Sequence, residues 1–452
     1  MTTQSQSPAA ATIGAFVAGI RSGGLPGPIA HEAKRSLLNF FGGAISVAQL
    51  PVIDTAVSVL DEYSGPRRAT LIGRHERLDP LSAAFVNCIT ANLLDYDDTH
   101  LRTVIHPTAP VAPPVLALAE ARGLSGAAVL AAFALGAEIE CRIGNMVTGT
   151  HYARGWHITS TCGVFGSAVA SAHLLGLSAT QIAHALGIAA SQAAGIVENL
   201  PTEAKNVGMG NAARNGLFAA LLAAKGYDAA PRAIEGKLGW AQAAGDTPKL
   251  DELVGELGTR WELTKNTYKP YPAGIVMHAV IDAGLELRAK HAIDPGAIAS
   301  VTVSGEALLM ARGDRIVNNH RDTRVSIHHA AATALLWGRA GIPEFSDPKA
   351  MSAVAVAFRA KVHAVRDDSL PVGAARMVVR MANGAEHQTT VLHARGSFEK
   401  PLSDADIEAK VRELAAHAGS GIDANPIIAG VWGLDQAPGV GQLMAAAATR
   451  KA

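Results

Sequence analysis

The stretch ITSTCGVFGSAVASAHLLGLSATQIAHALGIAASQAAGIV, residues 158–197, contains no aspartate, glutamate, lysine or arginine. Its apolar character raises the question of a membrane span, which needs about 20 consecutive apolar residues. However, Gly-Leu-Ser at 176–178 interrupts it, and it carries His173, Gln181 and His184. The pattern therefore predicts two helices buried in the core of a globular protein.

Helix signals continue on both sides of this stretch. Asp79 and Pro80 occupy the cap and first helical positions before an apolar run. A second Gly-Leu-Ser turn precedes the apolar segment 126–140, and Ser178 and Gln181 have capping-box spacing. The first 267 residues are therefore predicted to form helix after helix.

The pattern changes near YKPYP, residues 268–272. IASVTVSG, 298–305, alternates as a strand does, and ARMVVRMANGAEHQTTVLHA, 375–394, has the form of a hairpin around Asn383-Gly384. The segments 321–339 and 346–358 between them have helical patterns. We therefore predict a mainly α protein, with a large all-helical domain, 1–267, completed by 402–452, and a smaller α+β lid domain, 268–401.

The composition restricts the possible partners. The chain has 452 residues, of which 39 are Lys or Arg and 39 are Asp or Glu. A neutral chain without long basic runs is not expected to bind nucleic acid or a membrane. Since only 17% of residues are charged, part of the surface is predicted to be buried in a homo-oligomer. Three scattered cysteines and an N-terminus without a signal-peptide pattern favour the cytoplasm.

The segment DYDDTH, 95–100, places three carboxylates at the end of a predicted helix, where negative charge is unfavourable. If the helix persists, Asp95 and Asp98 share a face and Asp97 points elsewhere. Capping and ion pairing are the plainest explanations. A hard metal ion with His100 or His106 is an alternative, but no second acidic cluster completes such a site, and we predict no metal.

Two further segments concentrate polar groups near predicted helix starts. In THYARGWHITST, 150–161, Tyr152 and His157 lead into the charge-free helix, and a helix N-terminus favours anions. In PTEAKNVGMGNAARNG, 201–216, the glycines imitate a dinucleotide motif, but no strand precedes them, and we predict no nucleotide cofactor. Lys205 of this loop is a candidate for binding a carboxylate.

Lys269 lies between Tyr268 and Pro270 at the predicted domain junction, and clefts between domains are preferred ligand sites. No P-loop, nucleophile elbow, iron–sulfur or zinc motif is present. The remaining histidines, lysines and carboxylates suit proton abstraction beside a carboxylate, where cations stabilise the developing enolate.

Several motifs together carry a resemblance to a known family. LLDYDDTH, HPTAPVAPPVLALAE, GWHITSTCGVFGSAVASAHLLGLS and KPYP, in this order, resemble the 2-methylcitrate dehydratase (MmgE/PrpD) family. The likeness covers nearly the whole chain. It implies a large helical domain with an α+β lid, a homodimer, and catalysis without a metal or an organic cofactor.

The resemblance also implies site residues. His106 of IHPT and His157 of GWHITS match pocket histidines of the family's cis-aconitate decarboxylase, and Lys205 and Lys269 resemble its two lysines. Either Asp95 or Asp98 matches its acidic residue.

Tyr152 resembles the tyrosine of the family's iminodisuccinate epimerase that faces the substrate opposite a lysine. Two departures weigh against cis-aconitate decarboxylation. A cysteine that often follows KPYP is absent, and the decarboxylase's pocket tyrosine, expected near Asn318 and Asn319, is not evident.

We therefore predict a cofactor-independent hydro-lyase that acts on a small polycarboxylate, with His106, Tyr152, His157 and Lys269 as catalytic residues and Asp95, Asp98 and Lys205 binding the substrate. Two alternatives stay open. One is an epimerase of an iminodisuccinate-like amino-diacid that uses Tyr152 and Lys269 as opposed acid/bases. The other is a non-catalytic carboxylate-binding protein.

Overall fold

The computed structural model describes residues 7–20, 24–200 and 202–450, and the protein is mainly helical, as predicted. The helices before residue 266 are α1 (Ala9–Gly19), α2 (Gly27–Val47), α3 (Pro51–Tyr63), α4 (Pro80–Asn92), α5 (Thr108–Arg122), α6 (Gly126–Val147), α7 (Ile158–Leu174), α8 (Ala179–Ala190), α9 (Ala204–Ala224), α10 (Trp240–Ala244) and α11 (Leu250–Val254).

The charge-free stretch forms α7 and α8, which confirms the prediction of two helices. Helix α7 is buried nearly throughout and packs against α5, α6, α8 and α9. Close approach depends on glycines, since a Cβ at Gly216 of α9 would lie 2.3 Å from the Ser167 Cβ of α7. The predicted caps also form: Asp79 caps α4, and Ser178 and Gln181 make the capping box of α8.

Short strands β1 (Ala69–Thr70) and β2 (Arg77–Leu78) pair antiparallel in this part of the chain. The prediction of an all-helical first domain is therefore wrong in this detail. The reason is local, because Gly73 adopts a φ of 79° and reverses the chain between the two strands. The segments β3 (Asp98–His100) and β4 (Asn266–Tyr268) are also extended.

The segment after residue 267 combines helices with a four-stranded sheet. Its helices are α12 (His278–His291), α13 (Ala307–Gly313), α14 (His320–Thr323), α15 (Ile327–Ala332), α16 (Asp347–Ala350) and α17 (Ala353–Arg359). Its strands are β5 (Ile298–Gly305), β6 (Val362–Arg366), β7 (Ala375–Met381) and β8 (Glu386–Val391). The sheet order is β6-β5-β7-β8, with β5 parallel to β6 and the other pairs antiparallel.

The predicted strand at 298–305 and the hairpin around Asn383-Gly384 are confirmed as β5 and as β7 with β8. The segment 321–339, predicted as one helix, is instead divided into α14, α15 and a π-helical turn, Thr333–Trp337. The break has a tertiary cause, since the Arg324 carbonyl accepts a hydrogen bond from the Gly274 amide at 2.8 Å rather than from its own helix.

The chain ends with α18 (Asp404–Ala418), α19 (Ala424–Trp432) and α20 (Gly441–Ala446). It divides into two units. Unit 1 comprises Met1–Leu93, Asp97–Asn266 and Asp404–Ala452, and unit 2 comprises Leu94–Tyr96 and Thr267–Ser403. Unit 2 thus includes Leu94 and the first two residues of the acidic segment, Asp95 and Tyr96.

No single helix in the described ranges is long and apolar enough to cross a membrane. One pair, α2 and α3, meets the length and composition criterion together but is bent by 94° at its break. Fifteen residues of α2 are buried, thirteen of them in the unbroken run 35–47, and the helix packs against α4 and α18.

Candidate active site

The acidic segment does not continue the preceding helix. Helix α4 ends at Asn92, and Asp95 adopts a left-handed backbone conformation with a φ of 55°. The helix does not persist, so the condition under which Asp95 and Asp98 would share a helix face is not met. A left-handed aspartate is unfavourable by roughly 1 kcal/mol and persists where the surrounding structure holds it, often at functional sites.

In unit 2, Asp95 is held by Lys269. The Lys269 Nζ lies 3.1 Å from Asp95 Oδ1 and donates a hydrogen bond to the Asp95 carbonyl oxygen at 3.0 Å. The lysine side chain is only 2% exposed, whereas the Asp95 side chain is 29% exposed. In this pair the cation is therefore buried, whereas the acid is partly exposed to solvent.

The loop that carries Lys269 is fixed by neighbouring groups of unit 2. The Tyr96 hydroxyl donates to the Pro270 carbonyl at 2.7 Å, and the Tyr271 hydroxyl donates to Asp282 Oδ1 at 2.5 Å. Gly396, with a φ of 84°, packs so closely that a Cβ there would lie 2.3 Å from the Tyr268 carbonyl oxygen. These contacts leave Lys269 little freedom to move.

In unit 1, His106 has a defined tautomer. Its Nδ1 lies 2.8 Å from the Asp98 carbonyl oxygen, which can only accept a hydrogen bond, so Nδ1 carries the proton. The Asp97 Oδ1 atom lies 3.5 Å from the same nitrogen. In the neutral ring the lone pair is therefore on Nε2, where it can act as a base.

His157 and the backbone of His106 both lie at the start of α7. It is buried in the N-cap position, and its Nδ1 lies 2.7 Å from the Ser160 hydroxyl oxygen. The His106 amide donates to the Thr159 hydroxyl oxygen at 3.2 Å. The structure thus brings the two predicted histidines together at one helix N-terminus.

Lys205 lies in the first turn of α9 rather than in the loop that was predicted to precede the helix. A Cβ at Gly208, one turn later, would lie 2.9 Å from Ser160 Oγ, so this end of α9 packs against the start of α7. The glycines that imitate a dinucleotide motif therefore serve helix packing. Tyr152 lies in the turn between α6 and α7, where its carbonyl accepts the Gly155 amide at 3.0 Å.

Side-chain amides connect α9 to the acidic segment. Asn206 donates to Asn92 Oδ1 at 3.3 Å, and Asn92 donates in turn to Asp97 Oδ2. Asp97 is therefore oriented between an amide and His106. Asp97 was not among the predicted site residues, because a continuing helix would point it away from Asp95 and Asp98. The sequence did contain a signal for the helix end, since Asn92 is followed five residues later by an aspartate that can accept its amide hydrogen bond.

His100 is fully buried and its two ring nitrogens are engaged by Thr103 and Glu262, at 2.7 and 3.1 Å. It is therefore not available as a metal ligand. The absence of a metal stays a prediction.

Asp98 is 0% exposed, and its Oδ2 accepts from the Thr108 hydroxyl and from the Asn266 amide at 2.5 Å. Burial raises the pKa of Asp98 to about 7, against the opposing effect of these hydrogen bonds. Glu140 is also fully buried, and burial followed by the charge of Asp98 raises its pKa well above the usual range. These two acids occupy interior positions, unlike Asp95.

Asp98→Asn is expected to stabilise the protein increasingly as pH rises. The pKa is raised from 3.8 to about 7 in the folded state. The contribution of protonated Asp98 to the free energy of unfolding is therefore fully present below pH 3.8 and is lost as pH rises through 7. The total loss is roughly 4 kcal/mol at most. Asparagine keeps both acceptor contacts and has no charge to bury. Urea unfolding at pH 5 to 8 measures the growing difference from wild type.

Asp368→Asn is the control for this titration. Asp368 is exposed and paired with Arg366, and that hydrogen bond lowers its pKa. The difference in the free energy of unfolding between Asp368→Asn and wild type should therefore not vary over the same pH range. A flat difference for Asp98→Asn as well would show that Asp98 does not titrate there.

Comparison with known proteins gives two matching family profiles. The profile described as the MmgE/PrpD N-terminal domain matches residues 11–253. The profile described as the MmgE/PrpD C-terminal domain matches residues 271–435. The two matches lie in unit 1 and unit 2 respectively for most of their lengths.

Curated relatives align over most of the chain. The cis-aconitate decarboxylase of Homo sapiens is 29% identical over 415 residues, which is 88% of this chain and 86% of that protein. The cis-aconitate decarboxylase-like protein oryM of Aspergillus oryzae is 27% identical over 431 residues, 89% of each. The cis-aconitate decarboxylase of Mus musculus is 27% identical over 425 residues, 89% of this chain and 85% of that protein.

Proposed function

This chain belongs to the MmgE/PrpD family, and from that premise we propose that it is a cofactor-independent lyase acting on a small polycarboxylate. The observation that carries the proposal is the arrangement of His106, whose Nδ1 donates to a carbonyl oxygen, so that the neutral ring has its lone pair on Nε2. Such a base suits removal of a proton next to a carboxylate.

The proposed reaction is loss of water. His106 Nε2 takes the proton from the carbon next to a carboxylate, and the electron pair of that bond forms the carbon–carbon double bond. The neighbouring carbon–oxygen bond breaks, and His157 donates a proton so that the hydroxyl leaves as water. The pairing of base and acid is supported by the hydrogen bond from the His106 amide to Thr159, which lies two residues after His157 at the start of α7.

Lys269 and Lys205 are proposed to stabilise the negative charge that develops on the substrate carboxylate. Burial of Lys269 supports this role, because a cation acts more strongly on nearby charge where water is excluded. Asp95 holds Lys269 in place, and we therefore assign the acidic site residue to Asp95 rather than to the interior Asp98.

Decarboxylation is a second candidate, favoured by the names of the relatives. Both reactions pass through an electron-rich carbon stabilised by cations. They differ in the leaving group. Dehydration releases water after the hydroxyl oxygen is protonated, whereas decarboxylation releases carbon dioxide. At 27–29% identity the relatives support the reaction class more strongly than the choice between the two.

NMR in deuterated water distinguishes these reactions. Purified protein is incubated with a 2-hydroxy tricarboxylate, with cis-aconitate and with an amino-diacid. We expect alkene formation from the hydroxy acid, with no carbon dioxide released. Carbon dioxide from cis-aconitate would replace the hydro-lyase by a decarboxylase. Deuterium exchange with inversion at one carbon would identify an epimerase, and no exchange or turnover with any acid would contradict an enzyme of this kind.

A further inference from the structure

The hydroxyl of Ser160 lies against the ring of His157. Both residues belong to unit 1 and are buried at the start of α7, and Ser160 Oγ lies 2.7 Å from His157 Nδ1. Among the residues that the structure describes, this nitrogen is the only hydrogen-bond partner of the Ser160 hydroxyl. A hydrogen bond of this length between two buried groups fixes the ring of His157 relative to the helix.

Two glycine backbones enclose this hydroxyl. The carbonyl oxygen of Gly195 accepts the His157 amide at 3.1 Å, and a Cβ at Gly195, where φ is 132°, would lie 2.5 Å from Ser160 Cβ. On the side of α9, a Cβ at Gly208 would lie 2.9 Å from Ser160 Oγ. Side chains at these two positions would displace the hydroxyl, so the glycines keep it buried against Nδ1.

The burial of the hydroxyl determines which nitrogen of His157 carries the proton in the neutral ring. A buried hydroxyl hydrogen without an acceptor is costly, and Nδ1 is the acceptor that the Ser160 hydroxyl reaches. The hydroxyl therefore donates to the lone pair of Nδ1, and the neutral ring carries its proton on Nε2. The neutral ring of His106 has the opposite arrangement, with its proton on Nδ1 and its lone pair on Nε2.

We propose that Ser160 is a positioning residue that orients His157 and keeps a proton on its Nε2, so that His157 is the proton donor of the reaction while His106 is the base. The inference rests on the proposed function and deepens it, because it states why two residues of the same type take opposite roles. The difference lies in their partners at Nδ1, since a carbonyl oxygen can only accept a hydrogen bond, whereas a hydroxyl can also donate one.

The hydroxyl fits the protonated ring as well. When His157 is protonated, the Ser160 hydroxyl rotates and accepts from the Nδ1 hydrogen, and Nε2 still carries a proton. In the proposed loss of water, this Nε2 proton moves to the leaving hydroxyl oxygen as the carbon–oxygen bond breaks, and Nδ1 keeps its own proton. Before the transfer, Nε2 therefore carries a proton in both charge states of the ring.

Nitrogen-15 NMR of the full chain with labelled histidine tests the tautomer without a substrate. Protonated and unprotonated ring nitrogens have well-separated chemical shifts, and the signals of each ring are those missing from His157→Gln or His106→Gln. At a pH at which both rings are neutral, we expect the proton on Nε2 of His157 and on Nδ1 of His106. A proton on Nδ1 of neutral His157 would overturn the inference, and the proposed function would stand.

Ser160→Ala removes the partner of Nδ1 and tests the role of Ser160 in the reaction. With the 2-hydroxy tricarboxylate in deuterated water, alkene formation is expected to fall by about 10- to 100-fold, since a hydrogen bond to a charged ring is lost. Deuterium exchange next to the substrate carboxylate needs only the base and should change by less than about three-fold, as should KM. Ser160→Cys keeps a weak hydrogen-bond donor and should restore part of the alkene formation.

Ser171→Ala is the matched control. Ser171 is a buried serine of the same helix, and its hydroxyl has no hydrogen-bond partner among the described residues, so both rates should equal those of wild type. Equal losses of exchange and of alkene formation in Ser160→Ala, or no loss of either, would overturn the inference while the proposed function stands. If wild type turns over none of the acids, the proposed function fails, and the roles assigned to the two histidines fail with it.

Discussion

Lys269→Ala is expected to lower kcat/KM by about 10²- to 10³-fold, the loss seen when a group that stabilises developing charge in a water-excluded site is removed. Lys269 is buried and contacts both the carboxylate and the carbonyl oxygen of Asp95. Its removal takes away the cation proposed to meet the substrate carboxylate. Steady-state kinetics with the substrate identified by NMR measure the effect.

Removal of Lys269 also leaves Asp95 with less positive charge nearby, and this can lower stability. The double variant Lys269→Met with Asp95→Asn removes both charges, so that folding is retained while activity is still lost. Lys290→Ala, at the exposed end of α12, is the matched lysine control, and its kcat/KM should equal that of wild type. Activity within ten-fold of wild type in the double variant would refute a catalytic role for Lys269.

His106→Gln is expected to lower kcat/KM by about 10³- to 10⁴-fold, the upper part of the range for loss of a general base. The glutamine amide can still donate to the Asp98 carbonyl oxygen, which the Nδ1 proton of His106 reaches at 2.8 Å. The substitution therefore removes the base at Nε2 with little change in packing. Deuterium exchange into the substrate should disappear together with turnover.

Asp97→Asn separates orientation from proton transfer at His106. The carboxylate lies 3.5 Å from Nδ1 and is itself held by Asn92. Asparagine at this position loses the charge and keeps only one of the two acceptor oxygens, and a smaller loss of kcat/KM than that of His106→Gln is expected. His417→Gln, on the exposed face of α18, serves as the histidine control. Retention of exchange in His106→Gln would exclude His106 as the base.

Much of the fold was predictable because the decisive signals are local. The capping box of Ser178 and Gln181 and the turn at Asn383-Gly384 each act within a few residues, and both form as predicted. The break at Arg324 was not predictable in this way. Its cause is a hydrogen bond to Gly274, which lies 50 residues earlier in the chain (274 against 324) and leaves no trace in the helical pattern.

The same distinction applies to the candidate site. Patterns and motif resemblance selected His106, His157 and Lys269, which all lie at constrained positions in the structure. Asp97 was set aside because an ideal helix was assumed to reach it. The helix ends five residues earlier, and the contact with His106 depends on where the chain turns. Residue types can be recognised from sequence, but their orientation after a helix end requires coordinates.

Leu94–Tyr96 belongs to unit 2 although the residues on both sides belong to unit 1, and this affects folding during synthesis on the ribosome. Asp95 belongs to unit 2, but its partner Lys269 follows it by 174 residues. At about 5–20 residues per second, roughly 10–35 s pass before that lysine is even made. Unit 1 is completed still later, because α18, which packs against α2, is synthesised after residue 403. Neither unit can be completed during translation before nearly the whole chain exists, and neither can be excised as one continuous piece.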